Sequence, residues 1–148
     1  MHHKPVVILM VDDDLEDIYS TKRAFKEGKI INDFHHVLDG DQLFDYLANK
    51  GDYDDENQNP FPHIILLDIN LPKKSGIEIL EELRQHKDYR SIPVVMLTTS
   101  DQSTDIFTSY DKGANSYITK PVTVDGMMQV VQQFEAYWFQ LVKLPDPN

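Results

Sequence analysis

Four stretches of the sequence place oxygen- or nitrogen-bearing side chains directly after apolar or β-branched runs. Asp12-Asp13-Asp14 follows Val6 to Val11, and Asp68 follows Ile64 to Leu67. Thr98-Thr99-Ser100 follows Pro93 to Leu97, and Lys120-Pro121 follows Ser116 to Thr119. Carboxylates gathered at one place repel one another, and that cost falls when a cation sits among them. Oxygen ligands without His or Cys suit a hard ion such as Mg²⁺, which takes one or two carboxylates and keeps waters for phosphate. A lysine and a hydroxyl beside such an ion make a receptor for phosphoryl oxygens. Together they suit an acyl phosphate on one aspartate and the charged transition state leading to it.

Taken singly, each stretch has a plain structural reading. Asp12 to Asp14 fit helix capping, because acids favour helix N-termini. Thr98 and Thr99 fit strand-end hydroxyls, Lys120 a surface lysine, and Tyr117 a core or rim aromatic. Asp68 is harder to reduce to structure: it ends a buried run and has no basic neighbour until Lys73. The functional reading rests on the agreement of all four ends.

The elements that must position these groups follow from pattern. Val6 to Val11, Ile64 to Leu67 and Pro93 to Leu97 lack polar alternation, as strands covered on both faces do. Weaker strand signals lie at Ile30 to Leu38 and Ser116 to Thr119. Helical spacing joins Leu15, Ile18 and Phe25, with a stop at Gly28; Leu43, Phe44 and Leu47; and Ile77, Leu80 and Leu83. It joins Ile106, Phe107 and Tyr110, ending at Gly113, and finally Met127, Val131, Phe134, Trp138 and Leu141. Strands alternating with helices predict parallel pairing through right-handed crossovers, hence a doubly wound three-layer α/β domain with five strands and five helices. In such sheets ligands bind beyond the carboxyl ends of the strands, where the four stretches lie.

The composition narrows the class. The 148 residues suit one domain. The net charge is −11, and two acidic clusters, Asp12 to Asp17 and Asp52 to Glu56, carry most of it. This acidity argues against a nonspecific grip on nucleic acid. The absence of cysteine excludes disulfides, thiolate zinc sites and cysteine nucleophiles. No apolar run approaches the roughly 18 residues of a membrane span, and no signal-peptide pattern follows Met1 to Lys4. A cytoplasmic protein is expected. Asn49 to Pro62 is long for a helix-to-strand loop and reads as solvated. The tail from Leu144 to Asn148 reads as a stop.

Val11-Asp12-Asp13, Leu67-Asp68-Ile69-Asn70-Leu71-Pro72 with Gly76, Leu97-Thr98-Thr99-Ser100 and Tyr117-Ile118-Thr119-Lys120-Pro121 jointly resemble the markers of response-regulator receiver domains. The loop before Asp68, the segment Leu71 to Gly76 and the ending Trp138 to Pro145 resemble the single-domain subgroup typified by the cyanobacterial phytochrome response regulator. The resemblance implies a flavodoxin-like sheet of order 2-1-3-4-5, one receiver domain over residues 1–148 and no output domain. It implies a stand-alone phospho-acceptor switch of a two-component system rather than a turnover enzyme. Asp68 would accept the phosphoryl group from a histidine kinase. Asp13 and Asp68 would ligate Mg²⁺ with the Asn70 backbone carbonyl, and Asp12 would act mainly through water. Lys120 would pair with a phosphoryl oxygen, Thr98 would move to bond it, and Tyr117 would change rotamer. The Lys120–Pro121 bond would be cis. The family also implies pairing through helix four, strand five and helix five, which suits the wide apolar stripe from Met127 to Val142. The kinase would be light-sensing, and the downstream target a protein.

Three rival readings have sequence-level tests. An aspartyl phosphohydrolase needs a second aspartate two positions after the nucleophile, and Asn70 stands there. A degenerate adaptor would not need the complete acidic pair, Asp68, Thr98 and Lys120. A DNA-binding regulator would need a basic or helix-turn-helix segment. His35-His36 would point to opposite faces of a strand, and these and His63 read as ordinary strand residues. Asp52 to His63 fails as a calcium loop, with Asn57 and His63 where Gly and Glu are required.

Overall fold

Six apolar residues in succession, Val6–Val11, form strand β1, and all six are buried. The structure is a computed structural model that describes residues 6–28, 32–99, 108, 110–123, 125, 126 and 129. After β1 come α1 (Leu15–Glu27), β2 (Asn32–Val37), α2 (Gly40–Leu47), a 3-10 turn at Gly51–Tyr53, β3 (Ile64–Asp68), α3 (Gly76–Gln85), β4 (Val94–Thr98) and β5 (Ser116–Thr119). The five strands are parallel in the order β2-β1-β3-β4-β5. Parallel neighbours require crossovers, which the helices supply.

Side-chain alternation splits the strands between two cores. Leu9, Val11, Ile65, Leu67, Val94 and Met96 pack with residues of α2 and α3. Ile8, Met10, Ile64, Leu66, Val95, Leu97 and Ile118 pack with Ile18, Ala24 and Phe25 of α1. Each fully buried Leu or Ile contributes about 2 kcal/mol. The same period sets the site. Asp12 continues the series Ile8 and Met10, Asp68 continues Ile64 and Leu66, and Lys120 continues Ile118. All three therefore leave the strands on the side of α1.

The termini of the helices are fixed by local chemistry. Asp14 Oδ1 accepts from Glu16 N–H at 2.9 Å and caps α1. Asp39 caps α2 through Gln42 N–H. Ser75 and Glu78 form a reciprocal capping box on α3. Gly76 opens α3 where no side chain fits: a Cβ would lie 2.1 Å from the Asp68 carbonyl oxygen.

Several expectations need correction. Leu15 does not join the buried stripe of α1; it is 46% exposed, because the first turn overhangs the strand ends. Strand β2 spans Asn32–Val37, with Leu38 beyond its end and Ile30 outside the described residues. Strands β3 and β4 run one residue further than their apolar runs and include Asp68 and Thr98. The loop after α2 is exposed but organised: Asn49, at φ 51°, donates through Nδ2 to the Tyr53 and Asn59 carbonyls. Tyr46 O–H donates to the Pro60 carbonyl at 2.8 Å. The predicted fourth and fifth helices, with Ile106, Phe107 and Met127 to Leu141, lie almost wholly outside the described residues; Thr108, Tyr110 and Asp111, and Asp125, Gly126 and Gln129, are helical.

Arg84 organises the amino ends of β4 and β5. Its Nε donates to the Gly113 carbonyl at 2.9 Å, and its guanidinium nitrogens to the Ile92 and Arg90 carbonyls and to Asn115 Oδ1. Asn115 Oδ1 in turn accepts from Val94 N–H at 2.8 Å. Gly113, at φ 105°, leaves the room Arg84 needs.

Candidate functional site

At the carboxyl ends of β1 and β3, two aspartates are held in the same way. Asp12 Oδ1 accepts from Asp14 N–H at 2.9 Å, and Asp68 Oδ1 accepts from Asn70 N–H at 3.1 Å. In each case a backbone donor two residues on fixes one oxygen. The other oxygen faces Lys120: Nζ lies 2.7 Å from Asp12 Oδ2 and 3.1 Å from Asp68 Oδ2. Asp12 and Asp68 are buried, at 0% and 4% exposure. Lys120 is brought there by β5, with its N–H donating to the Thr98 carbonyl at 2.7 Å and a cis bond to Pro121.

Burial raises the Asp68 carboxyl to about 6; the Lys120 ammonium opposes that rise and Asp12 adds to it. For Lys120, burial alone would lower the ammonium, but hydrogen bonding and charge from Asp12, Asp17 and Asp68 more than offset this and raise it. The pocket thus keeps its lysine charged and disfavours ionisation of Asp68.

The residues fit a divalent cation. Oxygens of Asp12, Asp13 and Asp68 lie within 4.8 Å of one another. Asp12 Oδ2 is fully buried, with the Lys120 ammonium 2.7 Å away. An all-oxygen set with surplus negative charge is the donor chemistry of a hard cation.

The structure brings together Asp12, Asp13, Asp68 and Lys120 as the sequence implied. Asp14 has a different task, since its carboxylate caps α1. Thr98, at the end of β4, is fully buried and aligned with Thr119 of β5. Tyr117 is 37% exposed and packs edge-on against Tyr110, with ring centroids 6.0 Å apart. Asn70 contributes its N–H to Asp68, and its side chain is exposed. His35 pairs with Asp33, and His63 Nδ1 accepts from Val7 N–H, so neither joins a metal cluster among the described residues.

Sequence reasoning missed Asp17 as a member of this group. Lys120 Nζ donates to Asp17 Oδ2 at 2.9 Å. The available signal was position: Asp17 is three residues past the cap of α1, and a first-turn acid there faces back over the strand ends.

Residues 8–132 match the family model for the response regulator receiver domain. The chain is 38% identical over 141 residues to response regulator Rcp1 of Synechocystis sp., covering 95% of this chain and 94% of that protein. A structure described as the phosphorylated cyanobacterial phytochrome response regulator RcpA superposes with a TM-score of 0.75 at 36% identity, over 97% of this chain and 100% of that one. The Mn²⁺-bound form of Rcp1 gives 0.69 at 38% identity, over 95% and 99%.

Proposed function

This chain belongs to the response regulator receiver domain family, and from that premise we propose that Asp68 is the carboxylate that accepts the phosphoryl group. The chain is a two-component response regulator, and its phosphoryl donor is a histidine kinase. The observation that carries the assignment is the buried Asp68 carboxylate, with Lys120 Nζ at 3.1 Å and the Asp12 and Asp13 oxygens in one cluster.

Asp68 Oδ1 is tied to Asn70 N–H, which leaves Oδ2 as the nucleophile. An O–P bond forms at Oδ2 as the N–P bond of the kinase phosphohistidine breaks, and the electron pair returns to the imidazole nitrogen. Lys120 pairs with a phosphoryl oxygen that its contact to Oδ2 already anticipates. Asp13 and Asp68 with the Asn70 carbonyl, and Asp12 mainly through water, would hold Mg²⁺, which would supply positive charge against the transferring group. Thr98 then bonds the phosphoryl group and Tyr117 shifts rotamer. The added charge biases the surface around β5 toward a second copy or a protein target.

The rest of the proposal concerns setting. Residues 1–148 act as a receiver domain, in the cytoplasm, as a switch and not a turnover enzyme, and without contacting nucleic acid. The subgroup resemblance supports a light-sensing kinase and pairing through helix four, β5 and helix five. No helix among the described residues is long and apolar enough to cross a membrane.

Incubation with acetyl phosphate and Mg²⁺, followed by intact mass, tests the assignment. The chain gains one phosphoryl group, and Asp68→Asn gains none. Partner binding that ignores phosphate and survives Asp68→Ala would instead favour an adaptor.

A further inference from the structure

The ammonium of Lys120 has three carboxylate neighbours, and they are not equivalent. Asp12 and Asp68 are the buried acids of the cation cluster. Asp17 stands on α1, outside that cluster, with a side chain 35% exposed. It also accepts a hydrogen bond from Lys120 at 2.9 Å. When Asp12 and Asp68 turn their oxygens to a cation and a phosphoryl group, Asp17 is the partner left to Lys120.

We propose that Asp17 is a positioning residue for Lys120, holding its ammonium at the mouth of the pocket where phosphoryl oxygens arrive. Lysine carries a point charge on a flexible four-carbon stem, so its placement depends on what it is tied to. Without Asp17 the ammonium is tied only to Asp12 and Asp68, the two acids whose oxygens are needed by the cation and the phosphoryl group. Asp17 itself is rigidly mounted. Its helix is capped by Asp14, whose own N–H is held by Asp12, and its carbonyl accepts from the buried Thr21 hydroxyl at 2.7 Å.

This inference rests on the phospho-acceptor reading, and the experiment separates the two. Phosphorylation by acetyl phosphate at saturating MgCl₂ is followed by intact mass for the unsubstituted chain, Asp17→Asn, Asp17→Glu and Glu16→Gln. Glu16 is exposed and one residue away, so Glu16→Gln removes the same charge without touching Lys120. Asp17→Asn is expected to lower the maximal rate about tenfold, as a misplaced catalytic group does, with Asp17→Glu recovering most of it and Glu16→Gln leaving it unchanged. Equal losses in Asp17→Asn and Glu16→Gln would reduce the role to general charge and overturn the proposal, as would an Asp17→Asn rate equal to that of the unsubstituted chain. No label on the unsubstituted chain would remove the parent reading and this one with it. A second readout needs neither cation nor donor. In metal-free ¹⁵N-lysine-labelled protein, Lys120 gives a slowly exchanging ammonium signal that Asp17→Asn shifts and Glu16→Gln does not; an unmoved signal would also overturn the proposal.

Discussion

Lys120 and Arg84 sit at opposite ends of the same sheet, and their surroundings differ in kind. Arg84 meets three backbone carbonyls and one amide oxygen, all neutral. Lys120 meets three carboxylates, with Asp13 close by. Around Arg84 four of the five N–H donors meet a neutral acceptor. Around Lys120 negative charge is in surplus, with three carboxylates against one ammonium. A cation satisfied by dipoles belongs to the architecture; an over-supplied one marks a place where something else must bind.

That contrast predicts opposite responses to mutation. Arg84→Met strips donors from the carbonyls that order the amino ends of β4 and β5, and should cost about 4 kcal/mol in urea unfolding. Its phosphorylation rate under folded conditions should be unchanged; a selective loss of rate would blur the two ends.

Asp68→Asn should do the reverse, raising the stability of metal-free protein at neutral pH. Burial lifts the Asp68 carboxyl from 3.8 to about 6 in the folded chain, so the folded state holds this proton more tightly than the unfolded one. Stability therefore falls as pH rises between those values, by up to about 3 kcal/mol, and stays lost above about 6. Asp68→Asn removes this dependence, and urea titrations at pH 4 and pH 7.5 would show the two chains diverging only at the higher pH.

Addition of MgCl₂ should recover part of that loss, by about 2.7 kcal/mol at a hundredfold excess over Kd. The gain should shrink below about pH 6, as Asp68 protonates. A Tm shift independent of pH would place the cation elsewhere. The smallest effect is expected at the exposed pair Lys112–Glu81, 3.6 Å apart. Lys112→Gln should change stability by less than about 0.5 kcal/mol, as neither burial nor surplus charge is involved.

The sequence made some of this legible and concealed the rest for physical reasons. Unbroken apolar runs at β1, β3 and β4 gave away a sheet covered on both faces, and the residues after them named Asp12, Asp68 and Thr98; Lys120 follows the weaker strand signal of β5. The strand order 2-1-3-4-5 came from family resemblance, because apolar runs record burial and not which strand lies beside which. Asp14 was indistinguishable from its neighbours until helix geometry gave it the cap. Asp17 and Lys120 are separated by 103 positions, and no local pattern links a first-turn acid to a lysine that far along the chain. Arg84 was hidden for a similar reason: its partners are backbone carbonyls, which every residue offers. Leu15 was misplaced because helical spacing says which residues share a face but not where the sheet beneath them stops.

The central claim is that Asp68 is the reactive carboxylate of a cation-dependent pocket. Residue-level mass spectrometry after acetyl phosphate treatment, with and without MgCl₂, tests it most directly. The account predicts a single phosphoryl group on Asp68 that requires the cation. A modification at another residue, or one on Asp68 that forms equally well in chelator, would contradict it.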